Sequence, residues 1–388
     1  MYLKYKTFTE VFDWGPAINK IEITFPKLID IKQFNANDFS IELVRMGKLF
    51  IREIDDLKPI NSSTLAIKLK VAPDIIESSP FNYNLKTGFN SFIDSDYTIK
   101  FNYNETTEIL DKSNFDGNIN LIADDFENNI PFNYSDISLL YASYTPKLSV
   151  KTDDPSPLII WLHGAGEGGK NTLLTTMGNR VVNLAKKNIQ ELFGQNGAYI
   201  LVPQTPTFWM DFTGKLEYNT TDPENRGTSF YTEALMELIK TYINNNPLID
   251  RDRIYIGGCS NGGYMTINLL TAYPNFFTGA FPSATPYLKE WLTDMKIDIL
   301  KDVPIWLTHA KNDDVIKLNG NIHSNLLYKC LKDAGSKEIY YSLYDSVVDS
   351  YSGIELNGHL SWVYVLNNQP TKIINNKELS LFEWLAKQ

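Results

Sequence analysis

The sequence predicts an α/β domain, built on a mostly parallel sheet flanked by helices and preceded by an all-β sandwich domain. Three observations support this prediction. The first hundred or so residues contain short strands with alternating polarity, no long helical pattern competes with them, and the remainder alternates continuous apolar runs with amphipathic helical patterns. Alternating strands are typical of antiparallel sheets, whereas fully apolar strands between helices are typical of parallel sheets covered on both faces.

The amino-terminal strands are predicted from their period of two. Residues 1 to about 103 contain the runs INKIEITF, DFSIELVR, TLAIKLKV and YTIKFN, which are separated by turn-forming clusters. In the third run, Leu65, Ile67 and Leu69 point to one face, while Lys68 and Lys70 point to the other. Short strands of this kind at this spacing indicate an antiparallel sandwich.

The strands of the second part are predicted from their apolar character. The runs SPLIIWLHG, GAYILVPQ, DRIYIGGCS, VPIWLTHA and EIYYSLYD alternate with helical patterns such as TSFYTEALMELIKTYI and GGYMTINLLTAYP. Ligands of open parallel sheets bind outside the carboxyl ends of the strands. We therefore expect the functional residues directly after these runs.

The connection between the two domains is predicted from composition. Residues 104–129 are rich in Asn, Asp and Glu and have weak periodicity, so we interpret them as a connecting stretch. We place the sandwich at residues 1–112 and the α/β domain at residues 113–388. The sandwich has no arrangement of serine, histidine and acid that suggests chemistry. Its possible roles are packing against the other domain, a wall of the cleft, docking of a polymer, or a dimer-forming edge.

Composition and charge exclude several classes of protein. The chain has 388 residues, 43% of them hydrophobic and 21% charged, which is typical of globular proteins rather than disordered ones. No run approaches the roughly 18 apolar residues of a membrane span. A net charge of −10 without a basic patch argues against a nucleic-acid partner. Two cysteines cannot form a disulfide framework, and four scattered histidines predict no metal site.

The strongest chemical motif is GCSNG, residues 258–262, which matches the pattern G-x-S-x-G. The apolar strand RIYIGG runs directly into it and the helical pattern GYMTINLL runs directly out. Glycines on both sides permit a tight turn that leaves Ser260 exposed at its tip. The helix behind Ser260 also offers N–H groups to a developing oxyanion. The alternative is an ordinary strand-to-helix turn with a serine N-cap.

A glycine-rich loop, HGAGEGG, follows the apolar strand PLIIWL. It superficially resembles a dinucleotide-binding loop, but His163 precedes it and the negative charge of Glu167 would face phosphates. A loop of this type instead matches the second wall of an oxyanion hole. We expect the N–H of Ala165, or of Gly166, to act together with the N–H of Asn261. We interpret His163 as a residue that orients this loop rather than a catalytic base.

A serine nucleophile needs a base, and the base needs an acid to orient it. In a sheet of this kind the chain order is serine, acid, histidine. Downstream of Ser260, His309 ends a strand and His323 lies within a helical pattern, where it caps the helix or faces solvent. Only His359 lies in a turn-rich loop after the last apolar strand. His359 is therefore the candidate base.

The acid is expected on the loop after the penultimate strand. Asp313 and Asp314 both lie there, shortly after the strand VPIWLTH. Asp345 and Asp349 follow the last strand and are interpreted as solvated acids. The residues alone leave Asp313 and Asp314 as alternatives.

Taken together, these segments resemble bacterial α/β-hydrolase serine esterases. HGAGEGG, PQTPTFWMD, LIDRDRIYIGGCSNGG, WLTHAKNDDVI and GHLSW occur in the order seen in the branch related to poly(3-hydroxybutyrate) depolymerases and feruloyl or acetyl esterases. The resemblance covers roughly residues 135–388. The segment DWGPAINKIEI resembles the start of the immunoglobulin-like domain that precedes the esterase domain in some of these proteins.

The resemblance implies an α/β-hydrolase fold and assigns the roles of the site residues. Ser260 is then the nucleophile, Asp313 the acid and His359 the base, while Ala165 and Asn261 donate to the oxyanion. Asn261 stands where a Met is often found in these esterases. Because a backbone N–H does not depend on the side chain, this difference does not affect the mechanism.

The substrate cleft is predicted from an irregular aromatic stretch. Residues 205–228 follow the strand AYILVPQ, begin at the catalytic edge of the sheet and carry Phe208, Trp209 and Phe212. We assign Trp209, together with Gly166, to substrate binding. The alternative is that Trp209 only packs the loop onto the sheet, since large aromatic side chains serve both purposes.

These observations predict a serine-dependent carboxylic ester hydrolase that forms an acyl-enzyme, acts on a small-molecule or polymeric ester and needs no cofactor. The alternatives are a serine peptidase of the same fold and a catalytically silent binding protein; the complete serine, acid and histidine set argues against the silent protein. The first residues lack the pattern of a signal peptide. We expect a cytoplasmic protein, or a secreted one whose signal peptide was removed, and the sequence indicates no oligomeric state.

Overall fold

The computed structural model describes residues 3–28, 30, 33–103, 106–147, 154–217, 227–321 and 323–388. The chain divides into two compact units. The first comprises Met1–Asn84 and Asn90–Asp124, and the second comprises Leu85–Phe89 and Asp125–Gln388.

The first unit is a two-sheet sandwich. One sheet has the strand order β11-β1-β2-β6-β5 and the other has the order β10-β9-β3-β4. Buried side chains of both sheets, among them Ile21, Ile67, Ile41 and Ile99, form one hydrophobic core. The predicted sandwich is confirmed, and its immunoglobulin-like identity stays a prediction. The strands before Asp125 are β1 (Lys4–Phe12), β2 (Gly15–Thr24), β3 (Phe39–Arg45), β4 (Lys48–Arg52), β5 (Ile54–Asn61), β6 (Thr64–Leu69), β7 (Phe81–Asn84), β8 (Phe89–Phe92), β9 (Ser95–Tyr103), β10 (Thr106–Leu110) and β11 (Phe115–Asn120).

Strand β11 places the end of the sandwich beyond the predicted boundary at residues 112/113. It pairs in parallel with β1, with Phe8 opposite Ile119 and Thr9 opposite Asn120. The sequence FDGNIN is too polar to show the alternation of a half-buried strand, and its composition therefore predicts a connection instead. Backbone pairing to β1, rather than burial of its side chains, determines its structure.

The second unit is an α/β domain. In the part of the chain that the structure describes, it is built on an eight-stranded sheet of order β12-β13-β15-β14-β16-β17-β18-β19. Strands β12 and β13 pair antiparallel at one edge, and β14 to β19 pair in parallel. The sheet strands are β12 (Glu127–Tyr134), β13 (Ile137–Tyr144), β14 (Ser156–Leu162), β15 (Tyr199–Gln204), β16 (Ile249–Cys259), β17 (Gly279–Ser283), β18 (Ile305–Ala310) and β19 (Ile339–Tyr344).

Helices and small two-stranded ribbons are the other described elements of this unit. The ribbons pair β20 with β21 and β22 with β23. The elements are α1 (Leu173–Gly178), α2 (Lys187–Gln190), α3 (Thr232–Asn245), α4 (Asn261–Ala272), α5 (Asp294–Leu300), α6 (Ser324–Asp333), α7 (Trp362–Leu366), α8 (Leu381–Leu385), β20 (Val347–Val348), β21 (Glu355–Leu356), β22 (Thr371–Ile374) and β23 (Lys377–Ser380).

The sheet places the carboxyl ends of its central strands at one edge. Every residue of β14 and β15 is buried, as their continuous apolar sequences predict for strands covered on both faces. His163 follows β14, Ser260 follows β16, and Asp313 lies shortly after β18. The predicted site residues are therefore brought to the same edge by the parallel order of the strands.

Candidate active site

Ser260 lies in a strained turn between β16 and α4. Its backbone has φ 51° and ψ −116°, a sparsely populated conformation for a residue with a side chain. A Cβ on Gly262 would lie 2.0 Å from the backbone oxygen of Leu162, and one on Gly258 would lie 2.6 Å from Gly262. Both flanking glycines are thus required by close backbone approach, and Ser260 remains partly exposed.

His359 connects Ser260 to Asp313. It lies in the short 3-10 helix Gly358–Leu360, and its backbone N–H donates to the Asn357 side chain over 2.8 Å. Its Nε2 is 2.9 Å from Ser260 Oγ, and its Nδ1 is 2.8 Å from Asp313 Oδ2. The three residues therefore form one continuous hydrogen-bonded chain.

The Asp313 carboxylate is buried and accepts hydrogen bonds on both oxygens. Oδ1 accepts the backbone N–H groups of Val315 and Ile316, each over 2.8 Å. Oδ2 faces His359 at 2.8 Å and His309 at 3.0 Å. Burial opposes ionisation, but the hydrogen bonds from both imidazoles outweigh it and hold the pKa of Asp313 well below its usual range. The neighbouring Asp314 is exposed.

The glycine-rich loop after β14 is fixed by backbone contacts. Ala165–Glu167 form a single 3-10 turn, and the side-chain amide of Gln204 donates to the backbone oxygen of Glu167 over 2.8 Å. A Cβ on Gly168 would lie 1.7 Å from the backbone oxygen of Thr207, so only glycine fits. Ala165 and Gly166 are partly exposed.

The backbone N–H groups predicted to bind the oxyanion are not used within the described fold. Among the residues that the structure describes, the N–H groups of Ala165, Gly166 and Asn261 donate to no backbone oxygen outside regular helices and strands. Asn261 occupies the first position of α4, where a helix leaves its N–H groups without an internal partner. These N–H groups are therefore available to an anionic oxygen.

His163 supports the loop from behind. Its Nε2 accepts the backbone N–H of Thr205 over 3.2 Å, so the proton resides on Nδ1, which donates to the backbone oxygen of Gly164 over 2.6 Å. Complete burial lowers its pKa from 6.5 to about 4. His163 is thus a neutral residue that holds the loop, in agreement with the role predicted from its position before the loop.

Trp209 has no exposed surface. Its ring packs 5.0 Å from His163 and 6.2 Å from Tyr231. The Asn261 side chain accepts the backbone N–H of Met210 over 2.8 Å and so ties this segment to α4. This burial favours the packing role over contact with substrate, and Trp362 likewise packs against the His359 ring.

Residues 145–352 match the family described as phospholipase/carboxylesterase. This range is more than half of the chain. The chain belongs to the phospholipase/carboxylesterase family. The resemblance to α/β-hydrolase esterases stated from the motifs is therefore confirmed.

Two curated proteins are similar in sequence to part of this chain. Acyl-protein thioesterase 1 of Eremothecium gossypii is 24% identical over 159 residues, which is 40% of this chain and 64% of that protein. An uncharacterized secreted protein of Arthroderma benhamiae is 25% identical over 243 residues, which is 52% of this chain and 23% of that protein. The chain therefore spans less than two thirds of the length of either.

A solved structure supports the predicted fold. The crystal structure of a thermostable esterase is similar to 99% of this chain and 99% of its own, with a TM-score of 0.80 and 24% identity. The predicted α/β-hydrolase fold preceded by a strand-rich domain is confirmed.

Three further side chains have no predicted catalytic role. Cys259 is buried, its Sγ contacts Asn179 over 3.2 Å, and burial raises the pKa of its thiol. His323 caps α6 by accepting the backbone N–H of Leu326. His309 contacts Asp313, a contact that its position four residues earlier in the sequence could have indicated.

The described ranges contain no group of three or more His, Cys, Asp or Glu residues that could hold a metal ion. Over the same ranges, no helix combines the length and the apolar character that crossing a membrane requires.

Proposed function

We propose that this member of the phospholipase/carboxylesterase family hydrolyses carboxylic esters through a covalent acyl-enzyme on Ser260. One observation carries the proposal: the chain of hydrogen bonds from Ser260 Oγ through His359 to the buried Asp313 carboxylate, with distances of 2.9 and 2.8 Å. A hydroxyl, an imidazole and a carboxylate in this order form the general apparatus of nucleophilic acyl transfer.

The first half of the reaction forms the acyl-enzyme. Ser260 Oγ attacks the ester carbonyl while His359 Nε2 takes its proton, and the carbonyl oxygen becomes an oxyanion. Asp313 accepts the Nδ1–H of His359, which fixes the tautomer and stabilises the imidazolium. His359 then donates the proton to the departing alcohol oxygen as the carbon–oxygen bond breaks.

The backbone N–H groups of Ala165 and Asn261 bind the oxyanion. Removing one such donor typically costs about 3 to 4 kcal/mol of transition-state stabilisation. Gly166 lies in the same turn, is partly exposed and is the alternative donor. In the second half, His359 takes a proton from water, the water oxygen attacks the acyl carbon, and Ser260 leaves with the proton returned.

Steady-state kinetics with matched substrates test this proposal. The wild-type protein is expected to hydrolyse p-nitrophenyl acetate or butyrate, and Ser260→Ala and His359→Ala are each expected to lose several orders of magnitude in kcat while remaining folded. A peptide p-nitroanilide serves as the comparison. Turnover of the anilide without turnover of the esters would assign the protein to the peptidases. Folded protein without activity on either would support a silent binding role.

A further inference from the structure

His309 is a second imidazole on the acid of the site, and nothing in the proposed catalytic cycle uses it. It ends β18 and its side chain is completely buried, as is the side chain of Asp313. We propose that His309 is a positioning residue, which holds the Asp313 carboxylate in the orientation that His359 requires. This inference rests on the proposed function of the Ser260 site.

His309 carries a proton on the ring nitrogen that lies close to Asp313. His309 Nε2 is 3.0 Å from Asp313 Oδ2 and 3.0 Å from the backbone oxygen of Ile316. A carbonyl oxygen can only accept, and the ionised carboxylate can only accept. Nε2 must therefore carry a proton, which is hydrogen-bonded to the Ile316 oxygen and lies close to Asp313 Oδ2.

The other ring nitrogen is held by a separate element. His309 Nδ1 is 2.9 Å from the hydroxyl oxygen of Ser324, the first residue of α6. That hydroxyl oxygen already accepts the backbone N–H of Thr285 over 3.0 Å. The Ser324 hydroxyl proton is therefore directed to Nδ1, so that both ring nitrogens of His309 have defined partners. His309, Ser324 and Thr285 are all fully buried.

This arrangement makes the orientation of Asp313 independent of the base. Oδ1 is held by two backbone N–H groups and Oδ2 by His309, so the plane of the carboxylate is fixed before His359 binds to it. Without His309, the only side-chain donor to Oδ2 would be the imidazole that Asp313 itself must orient. His359 is partly exposed and changes its protonation in each half-reaction, whereas His309 lies in the interior.

Two substitutions of His309 by side chains of similar length distinguish a positioning role from a packing role. His309→Gln retains an N–H near the position of Nε2, while His309→Met removes it and retains side-chain length. We expect His309→Met to lower kcat for a nitrophenyl ester roughly 10- to 100-fold, the usual effect of losing a hydrogen bond to a charged group, with KM changed by less than about twofold. His309→Gln should recover most of the loss. His323→Asn is the matched control, because His323 caps α6 without touching Asp313 and Asn is a good N-cap; its kcat should be unchanged.

The proposal is overturned if folded His309→Met has wild-type kcat, or if His309→Gln is no more active than His309→Met. NMR of the wild-type protein tests the proposal even if the His309→Met variant does not fold. Two-bond proton–nitrogen NMR of the wild-type protein should show His309 with a proton on Nε2, and a ring protonated only on Nδ1 would also overturn the proposal. Turnover by wild type and its loss in Ser260→Ala decide the proposed function separately, since the His309 tautomer does not depend on activity.

Discussion

His163 should make the stability of the α/β domain depend on pH in a calculable way. Its ring is buried and neutral, with Nε2 accepting a backbone N–H and Nδ1 donating to a backbone oxygen. Burial lowers its pKa from 6.5 to about 4. Between these two values the unfolded chain binds a proton on His163 and the folded chain does not. Stability from this residue is therefore fully present above pH 6.5 and is lost as the pH falls towards 4.

The size of the effect follows from the pKa difference. One pKa unit corresponds to about 1.4 kcal/mol, so the complete loss below pH 4 is about 3 kcal/mol. Integrating the same two pKa values gives a loss of about 2 kcal/mol between pH 7.5 and pH 5. This is a large part of the usual stability of a domain.

Urea unfolding followed by tryptophan fluorescence measures this loss mainly in the α/β domain, which contains most of the tryptophans. Of the seven tryptophans, only Trp14 lies in the first unit. His163→Gln is the reference, because the Gln carbonyl can accept the Thr205 N–H without titrating. From pH 7.5 to pH 5 the free energy of unfolding should fall by about 2 kcal/mol more in wild type than in His163→Gln. Identical pH dependence in the two proteins would refute the argument, since all other titrating groups are common to both.

Three further predictions concern the same domain. Asp313→Asn should lower kcat for a nitrophenyl ester roughly 10⁴-fold, because it holds the imidazole in the wrong tautomer. Asp314 is exposed, so the kcat of Asp314→Asn should stay within about twofold of wild type. The reverse result would assign the acid to Asp314. Gly262→Ala should destabilise the domain by about 3 kcal/mol or more in urea unfolding, because the added Cβ would lie 2.0 Å from a backbone oxygen. An unchanged unfolding midpoint would count against the tight turn at Ser260. Iodoacetamide should modify the partly exposed Cys330 and leave the buried Cys259 intact in the folded protein, as peptide mass spectrometry can determine. Rapid labelling of Cys259 would show that the turn between β16 and α4 opens.

The sequence was most informative where a single local pattern determines the structure. Continuous apolar runs predicted the buried strands β14 and β15, and the glycines around Ser260 predicted a turn that only glycine permits. The chain order of serine, acid and histidine then selected His359, which the fold brings to 2.9 Å from Ser260 Oγ. Asp313 could not be separated from Asp314 by position alone. Burial separates them in the structure, because only one of the two side chains points into the domain.

Features that depend on distant partners were not predictable in the same way. Strand β11 is polar and is defined by its parallel pairing with β1. The burial of Trp209 depends on contacts with His163 and Tyr231, which lie in other segments. The contact between His309 and Ser324 joins β18 to α6, and no local pattern of the sequence indicates it.

Covalent labelling is the most direct test of Ser260 as the nucleophile and His359 as its base. A fluorophosphonate reacts with a serine only when a neighbouring base and an oxyanion hole activate it. Digestion and mass spectrometry of the labelled wild-type protein should locate the adduct on the peptide that contains Ser260. Labelling should disappear in Ser260→Ala and slow by orders of magnitude in His359→Ala. Folded wild-type protein that remains unlabelled, or that is labelled equally fast without His359, would contradict the proposed nucleophile and base.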